Sequence, residues 1–266
     1  MRIYFRGNLY GCNQATAFVE DKGKIIFIGS DKEALKYSGE QIDLNNKYVY
    51  PGFNDSHMHL VNYGQSLKNV LLEKHTNSLK ALLEELKKHL VKGQWLIGRG
   101  WNHDYFTDEQ RFPTRKDLDM ISEEEPIVIT RTCGHILVAN SKAIELANIT
   151  SEAVEGGYFD LDAGLFQENA LYLIYDTIPQ PTIEEIKDNI LIAQKELHSY
   201  GITSVQSDDL LSATSDYHDA LQAFEQLRAE NKLTIRVYEQ AQLPTLKALK
   251  EFINLGYCTG LSLIHI

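Results

Sequence analysis

From about residue 51 onward the chain alternates apolar runs with amphipathic stretches at helical spacing, and this limits the fold more than any other feature. Strand–helix–strand alternation implies a parallel sheet, either open or closed into a barrel. Trp95-Leu96-Ile97-Gly98, Ile127-Val128-Ile129, Ile202-Thr203-Ser204-Val205 and Leu233 to Tyr238 predict strands. Ser78 precedes Leu79, Leu82, Leu83, Leu86 and Leu90, the spacing of one apolar helix face. Thr182 and Glu185 form a Thr-x-x-Glu capping box that opens a long helix through Leu197, ending near Gly201. Further helices are predicted over about 215–230 and 244–255.

The first 50 residues read as β structure instead. Ile3 and Phe5 alternate, as do Ala15, Ala17 and Val19, leading into Lys24-Ile25-Ile26-Phe27-Ile28-Gly29. Polar turns at Gly7-Asn8 and Glu20-Asp21-Lys22-Gly23 give the hairpin pattern. A short helix over Asp31 to Tyr37 and a strand at Tyr48-Val49-Tyr50 complete a small unit that crosses over near Pro51. No strand of residues 1–30 is expected in one sheet with 202–207. Residues 99–176 are less regular and rich in aromatics, and a span this long reads as an insertion rather than one loop.

Composition narrows the function. Lys+Arg 26 against Asp+Glu 37 gives a net charge of -11, which argues against a nucleic-acid partner bound through its phosphates. No apolar stretch approaches the ~18 residues of a membrane span. The start, Met1-Arg2-Ile3-Tyr4-Phe5-Arg6, lacks the apolar core of a secretory signal. Cys12, Cys133 and Cys258 are odd in number and far apart, which favours a reducing cytoplasm over a disulfide framework.

The sharpest local signal is Pro51-Gly52-Phe53-Asn54-Asp55-Ser56-His57-Met58-His59. On a strand, His57 and His59 share one face, so both imidazoles point the same way. Neutral imidazole is a good ligand for zinc and similar divalent ions. At the C-terminal end of a barrel strand, two such ligands hold a metal over the barrel mouth. Asp55 lies on the same face one pleat deeper and is placed to orient a ligand. Alone, a His-x-His is usually an accident of sequence; the surrounding pattern gives this one its weight.

That pattern resembles the amidohydrolase superfamily. The likeness continues through Gly98-Arg99-Gly100-Trp101-Asn102, Arg111-Phe112-Pro113-Thr114-Arg115-Lys116-Asp117-Leu118-Asp119, Arg131-Thr132-Cys133-Gly134-His135 and Asn140-Ser141-Lys142-Ala143. Gly164-Leu165-Phe166-Gln167-Glu168 and Gly201-Ile202-Thr203-Ser204-Val205 extend it. Together these look like the branch that includes N-substituted formamide deformylase. The resemblance implies a metal-dependent (β/α)8 TIM barrel, here incomplete, preceded by part of a small β-sandwich. It implies one or two divalent ions, with zinc the expected metal, that activate water to break an amide or formamide C–N bond. Ester or lactone hydrolysis by a related enzyme is the alternative, and a fragment without catalysis is a third reading. The family's other ligands are a Lys or Glu from a middle strand and two further His, and an Asp on the last strand shuttles protons. None of these is placed by this sequence. The expected partner is a small-molecule substrate, and the full-length protein is a possible homodimer.

Further candidates carry two readings each. His135, Glu168, Trp101 and Asp208 are candidate substrate contacts. Against this, His135 reads as a buried His capping Asn140-Ser141, and Glu168 as a solvated or salt-bridged acid. Core packing is the simpler account of Trp101 with Tyr105 and Phe106, whereas Asp208 with Asp209 reads equally well as N-caps of the following helix. Cys133 reads as a small buried hydrophobe rather than a nucleophile. His75, His89, His103, His198 and His218 lie on polar faces or loops and receive no role, and Glu123-Glu124-Glu125 reads as a solvated turn.

A complete (β/α)8 barrel takes about 250 residues, and about 215 follow residue 51. The expected organisation is therefore 1–50 as part of the β-sandwich unit, 51–260 as the first part of the barrel, and 261–266 as a non-native tail. The middle-strand Lys is expected just past Cys258-Thr259-Gly260, where the resemblance ceases. Leu261-Ser262-Leu263-Ile264-His265-Ile266 is what CTG TCT CTT ATA CAC ATC encodes, a transposase-end adapter string, so His265 is not read as a ligand.

Overall fold

The computed structural model describes residues 1–256 except 76, 215 and 244; the expectations for Cys258, for the Lys beyond Gly260 and for the 261–266 tail fall outside the described residues. The chain forms two compact units, Met1–Asn54 with Gly201–Ser204, and Asp55–Tyr200 with the residues from Val205 onward.

The first unit contains β1 (Arg2–Phe5), β2 (Asn8–Leu9), β3 (Ala17–Asp21), β4 (Lys24–Gly29), α1 (Asp31–Ala34), β5 (Glu40–Asp43) and β6 (Tyr48–Val49). Its main sheet has the order β4-β3-β1-β5. The β1–β3 and β3–β4 pairs are antiparallel, whereas β5 lies parallel to β1. Ile3, Ala17, Val19 and Ala34 form its core. Two departures from the sequence reading have simple causes. Asn8 belongs to a strand rather than a turn, because Asn8 and Leu9 pair in parallel with Tyr48 and Val49. Glu40-Gln41-Ile42-Asp43 was not legible as a strand because Ile42 alone is apolar. Among the described residues, none of these strands shares a sheet with 202–207.

The chain continues through β7 (Phe53–Met58), α2 (Leu60–Lys68), β8 (Val70–Leu71), α3 (Leu79–Lys88), β9 (Leu96–Trp101), α4 (Arg115–Asp119), β10 (Ile127–Arg131), β11 (Ile136–Ala139) and α5 (Ser141–Ala147). Then follow β12 (Gly157–Asp160), β13 (Leu165–Glu168), α6 (Tyr172–Tyr175), α7 (Ile183–Ser199), β14 (Ile202–Ser207), α8 (Tyr217–Ala229), β15 (Arg236–Glu239) and α9 (Leu246–Asn254). Ser78 accepts the Ala81 N–H as N-cap of α3, and Thr182 with Glu185 closes the capping box of α7.

These strands form two sheets. One has the order β15-β14-β7. The bonds Phe53 N–H to Gly201 O (2.8 Å) and Asp208 N–H to Met58 O (3.0 Å) advance together along both strands, so β7 and β14 are parallel. The other sheet has six strands, β12-β13-β11-β10-β9-β8. It is parallel across β8, β9 and β10, then antiparallel through β11, β13 and β12. Residues 99–176 are therefore in large part regular structure rather than one long loop. They continue this mixed sheet, and the runs at 96 and 127 belong to it rather than to the sheet that carries His57. The direction changes where Gly134, at φ +80°, turns the chain between β10 and β11.

Several family-like motifs are the wiring of this region. Asn140 is fully buried. Its Oδ1 accepts the N–H groups of Ile127 and Ala143, and its Nδ2 donates to the carbonyls of Ser122 and Glu125. Asp119 accepts from the backbone and hydroxyl of Ser141. Arg111 grips Asp117 with both terminal nitrogens, and Asp117 also accepts from Thr114. Burial raises the Asp117 pKa, but the Arg111 fork and the Thr114 bonds outweigh it and hold the carboxyl below its usual range.

Helix α2, which begins directly after His59, packs on α7. A Cβ on Gly64 would lie 1.9 Å from the Asn189 carbonyl oxygen, so only glycine permits this approach. Replacing Gly64 by Ala is expected to cost about 1–3 kcal/mol by forcing the helices apart, read as a lower denaturant midpoint. Asp117→Asn is expected to cost about 2 kcal/mol at neutral pH. A lowered carboxyl pKa stabilises the fold above the unfolded value of about 4 and loses that effect as pH falls through the folded value. The gap between wild type and variant in thermal melts should therefore close on acidification below about pH 4.

Candidate functional site

His57 is near the end of β7, and His59 is the N-cap residue of α2. Their ring centres are 5.6 Å apart with planes at 73°. Zinc–imidazole bonds of about 2.0–2.1 Å in a tetrahedral site put two ring centres roughly 5 Å apart, so this pair fits a shared ion with a small side-chain adjustment. Both side chains are exposed.

The proton on His59 is fixed by its surroundings. Nδ1 lies 2.5 Å from the Asp208 carbonyl oxygen and 3.1 Å from Ser212 Oγ. A carbonyl can only accept, so Nδ1 carries a hydrogen, and in the neutral ring the lone pair is then on Nε2. Ser212 Oγ also donates to the same carbonyl. Asp55 acts differently from expectation. Its carboxylate accepts the backbone N–H of His57 at 3.0 Å and so shapes the strand end rather than orienting a ring.

The end of β14 receives the start of α2. Leu60 N–H donates to Ser207 Oγ at 2.8 Å, and Val61 N–H to Asp209 Oδ1 at 2.9 Å. Ser207 donates to Asp209 Oδ2, and the Asp209 N–H donates to Glu239 Oε1 at the end of β15. Burial pushes the Asp209 carboxyl up to about 6 against the pull of the Ser207 and Val61 bonds. Glu239 is also pushed up, first by burial and then by the charge of Asp209. Asp208 Oδ1 and Glu239 Oε2 are buried without a hydrogen-bond partner among the described residues. Two imidazoles near one strand end, with buried carboxylate oxygens at the ends of the adjoining strands, are donor types that a divalent cation takes. Among the described residues, no group of three or more His, Cys, Asp or Glu is arranged to hold a metal.

The other candidates lie elsewhere. Trp101 is fully buried in the core with Leu72 and Phe106, so it is packing and not a substrate contact. His135 and Glu168 pair with each other at 2.9 Å, both exposed. This corrects the reading of His135 as a buried cap, a role Asn140 performs with its own side chain. Glu168 is the salt-bridged acid of the simpler reading, held at φ +53°. Asp208 and Asp209 do not cap the next helix; Asp216 does, accepting the His218 N–H. Cys133 is exposed rather than buried. Its thiol is lowered because bonds from the His135 N–H and Arg131 outweigh the raising effect of burial. The residues that sequence reasoning missed are Ser207, Ser212 and Glu239. For Ser207 and Glu239 the one signal was a polar side chain at the C-terminal end of a strand.

Residues 40–262 match the amidohydrolase family. The chain belongs to that family. It is 31% identical over 241 residues to YtcJ of Bacillus subtilis (strain 168), a protein provisionally named an amidohydrolase, covering 86% of this chain and 45% of YtcJ. It is 30% identical over 157 residues to N-substituted formamide deformylase of Arthrobacter pascens, covering 56% of this chain and 29% of that protein. The crystal structure of an uncharacterized metal-dependent hydrolase from Pyrococcus horikoshii OT3 superposes with a TM-score of 0.74 at 32% identity, over 96% of this chain and 50% of that one. The chain thus spans about half the length of the first relatives it matches.

Proposed function

We propose that this sequence belongs to a metal-dependent hydrolase that breaks a non-peptide C–N bond, an amide or a formamide, with His57 and His59 as two ligands of a zinc ion. The observation that carries the reading is the imidazole pair at 5.6 Å, with His59 held in the tautomer that leaves Nε2 free to ligate. The formamide-deformylase relative supports the bond class. The parallel β7–β14 pair, linked through helices, supports a barrel of which β7, β14 and β15 are strands, with residues 1–50 as part of a β-sandwich. The free thiols of Cys12 and Cys133 suit a reducing cytoplasm.

A bound divalent ion supplies an activated water and polarises the carbonyl under attack. The chain's own residues prepare the place for it. The Asp208 carbonyl holds the His59 proton on Nδ1, Ser212 braces that carbonyl, and Asp55 fixes the backbone at His57.

The test uses the full-length gene product. It should hold one to two zinc ions per chain, and it should hydrolyse a member of a panel of N-substituted formamides, acyl-amino acids and lactones. His57→Ala with His59→Ala should lower zinc affinity by at least ~100-fold and abolish turnover with the fold retained by circular dichroism. Full activity in that double variant would overturn the reading. The described residues of this chain bring two imidazoles together where a catalytic zinc takes about three protein ligands. Residues 1–266 alone are expected to lose zinc to a competing chelator and to show no zinc-dependent hydrolysis above background.

A further inference from the structure

We propose that Ser207 and Asp209 are positioning residues for His59: they cap α2 from outside the helix and thereby free the His59 ring to be held on the Asp208 carbonyl. A helix leaves its first N–H groups without intrahelical partners, and the residue at the N-cap normally satisfies one with a short polar side chain. In α2 the N-cap is His59, whose side chain makes no capping bond. The N–H groups of Leu60 and Val61 are satisfied instead by Ser207 Oγ and Asp209 Oδ1, which lie 147 and 148 residues further along the chain. Helix α3 does this with its own Ser78, α7 with Thr182 and α9 with Thr245.

Transferring the cap has a consequence for the imidazole. The bonds to Leu60 and Val61 lock the first turn of α2 onto the segment that also presents the Asp208 carbonyl. The ring of His59 and its acceptor are then fixed by neighbouring atoms of one loop, Ser207 to Ser212. The Ser207 hydroxyl donates to Asp209 Oδ2 and the Asp209 N–H donates to Glu239, so the clamp is itself held rigid. Asp209 is fully buried, which excludes water from competing for the Val61 N–H. Residues that orient a metal-ligating His through hydrogen bonds typically change metal affinity 10–100-fold when removed.

The proposal rests on His59 being a metal ligand, and the experiment separates the two. In the full-length protein, Asp209→Ala, Ser207→Ala and Asp209→Asn are compared with wild type by zinc titration against a chromophoric chelator. The His59 tautomer is read in the metal-free protein by NMR of 15N-labelled histidine, assigned with a His59→Gln variant. Asp209→Ala and Ser207→Ala should each weaken zinc about 10–100-fold and convert His59 from the Nδ1–H form to a mixture of tautomers. Asp209→Asn keeps an acceptor for the Val61 N–H and should stay within about threefold of wild type. Ser78→Ala removes an ordinary cap from α3, and should lower stability while leaving zinc affinity and the His59 signal unchanged. If Asp209→Ala fails to fold, Ser207→Ala carries the test alone. Wild-type zinc affinity and tautomer in the alanine variants would overturn the proposal, as would an equal loss of zinc in Ser78→Ala. If the clamp variants shift the tautomer while His57→Ala with His59→Ala retains zinc, the clamp stands and the metal reading falls.

Discussion

The bond between the His59 ring and the Asp208 carbonyl ties together the two parts of the chain on which the site depends. It joins residues 149 apart in sequence, at the ends of two adjacent parallel strands. A parallel sheet makes such a meeting natural, because the C-terminal ends of neighbouring strands lie side by side and their following loops share one edge. The tight α2–α7 contact at Gly64 serves the same end. Helix α7 delivers the chain into β14, and α2 carries it away from His59, so packing one on the other sets how the two strand ends approach.

The sequence was readable wherever one residue type answers one local need. Ser78 and Thr182 declared helix starts because short polar side chains there satisfy orphan N–H groups. The His-x-His was readable because strand alternation alone puts both rings on one face. What was not readable depends on pairing between distant segments. The six-stranded sheet contains β8 and β12, which lack any period-2 apolar pattern, and their strand character comes from their neighbours. The same holds for Ser207 and Asp209. Read along the chain they are polar residues after a strand, and a cap for the next helix is the nearest use. Their actual use is to cap a helix that precedes them by almost 150 residues.

The motifs of residues 98–168 divide differently from expectation. Asn140 makes four hydrogen bonds from a fully buried side chain, which uses its whole capacity for donors and acceptors. Asp117 ties α4 to the segment just before it through Arg111, and Asp119 ties α4 to the start of α5 through Ser141. Trp101 fills the core. A family resemblance through these residues therefore testifies to fold. The proposed chemistry rests on a shorter set, His57, His59 and the end of β14.

Charge explains why that gathering suits a cation. Burying Asp209 and Glu239 is costly, and the cost shows as carboxyl groups pushed upward in pKa, Glu239 partly by the charge of Asp209. Two neutral imidazoles do nothing to balance a divalent ion, whereas acids beside them do. A nearby positive charge opposes the shift on each acid. What Asp209 supplies in return is geometric: its two oxygens accept from the Val61 N–H and the Ser207 hydroxyl and so anchor the backbone that carries His59.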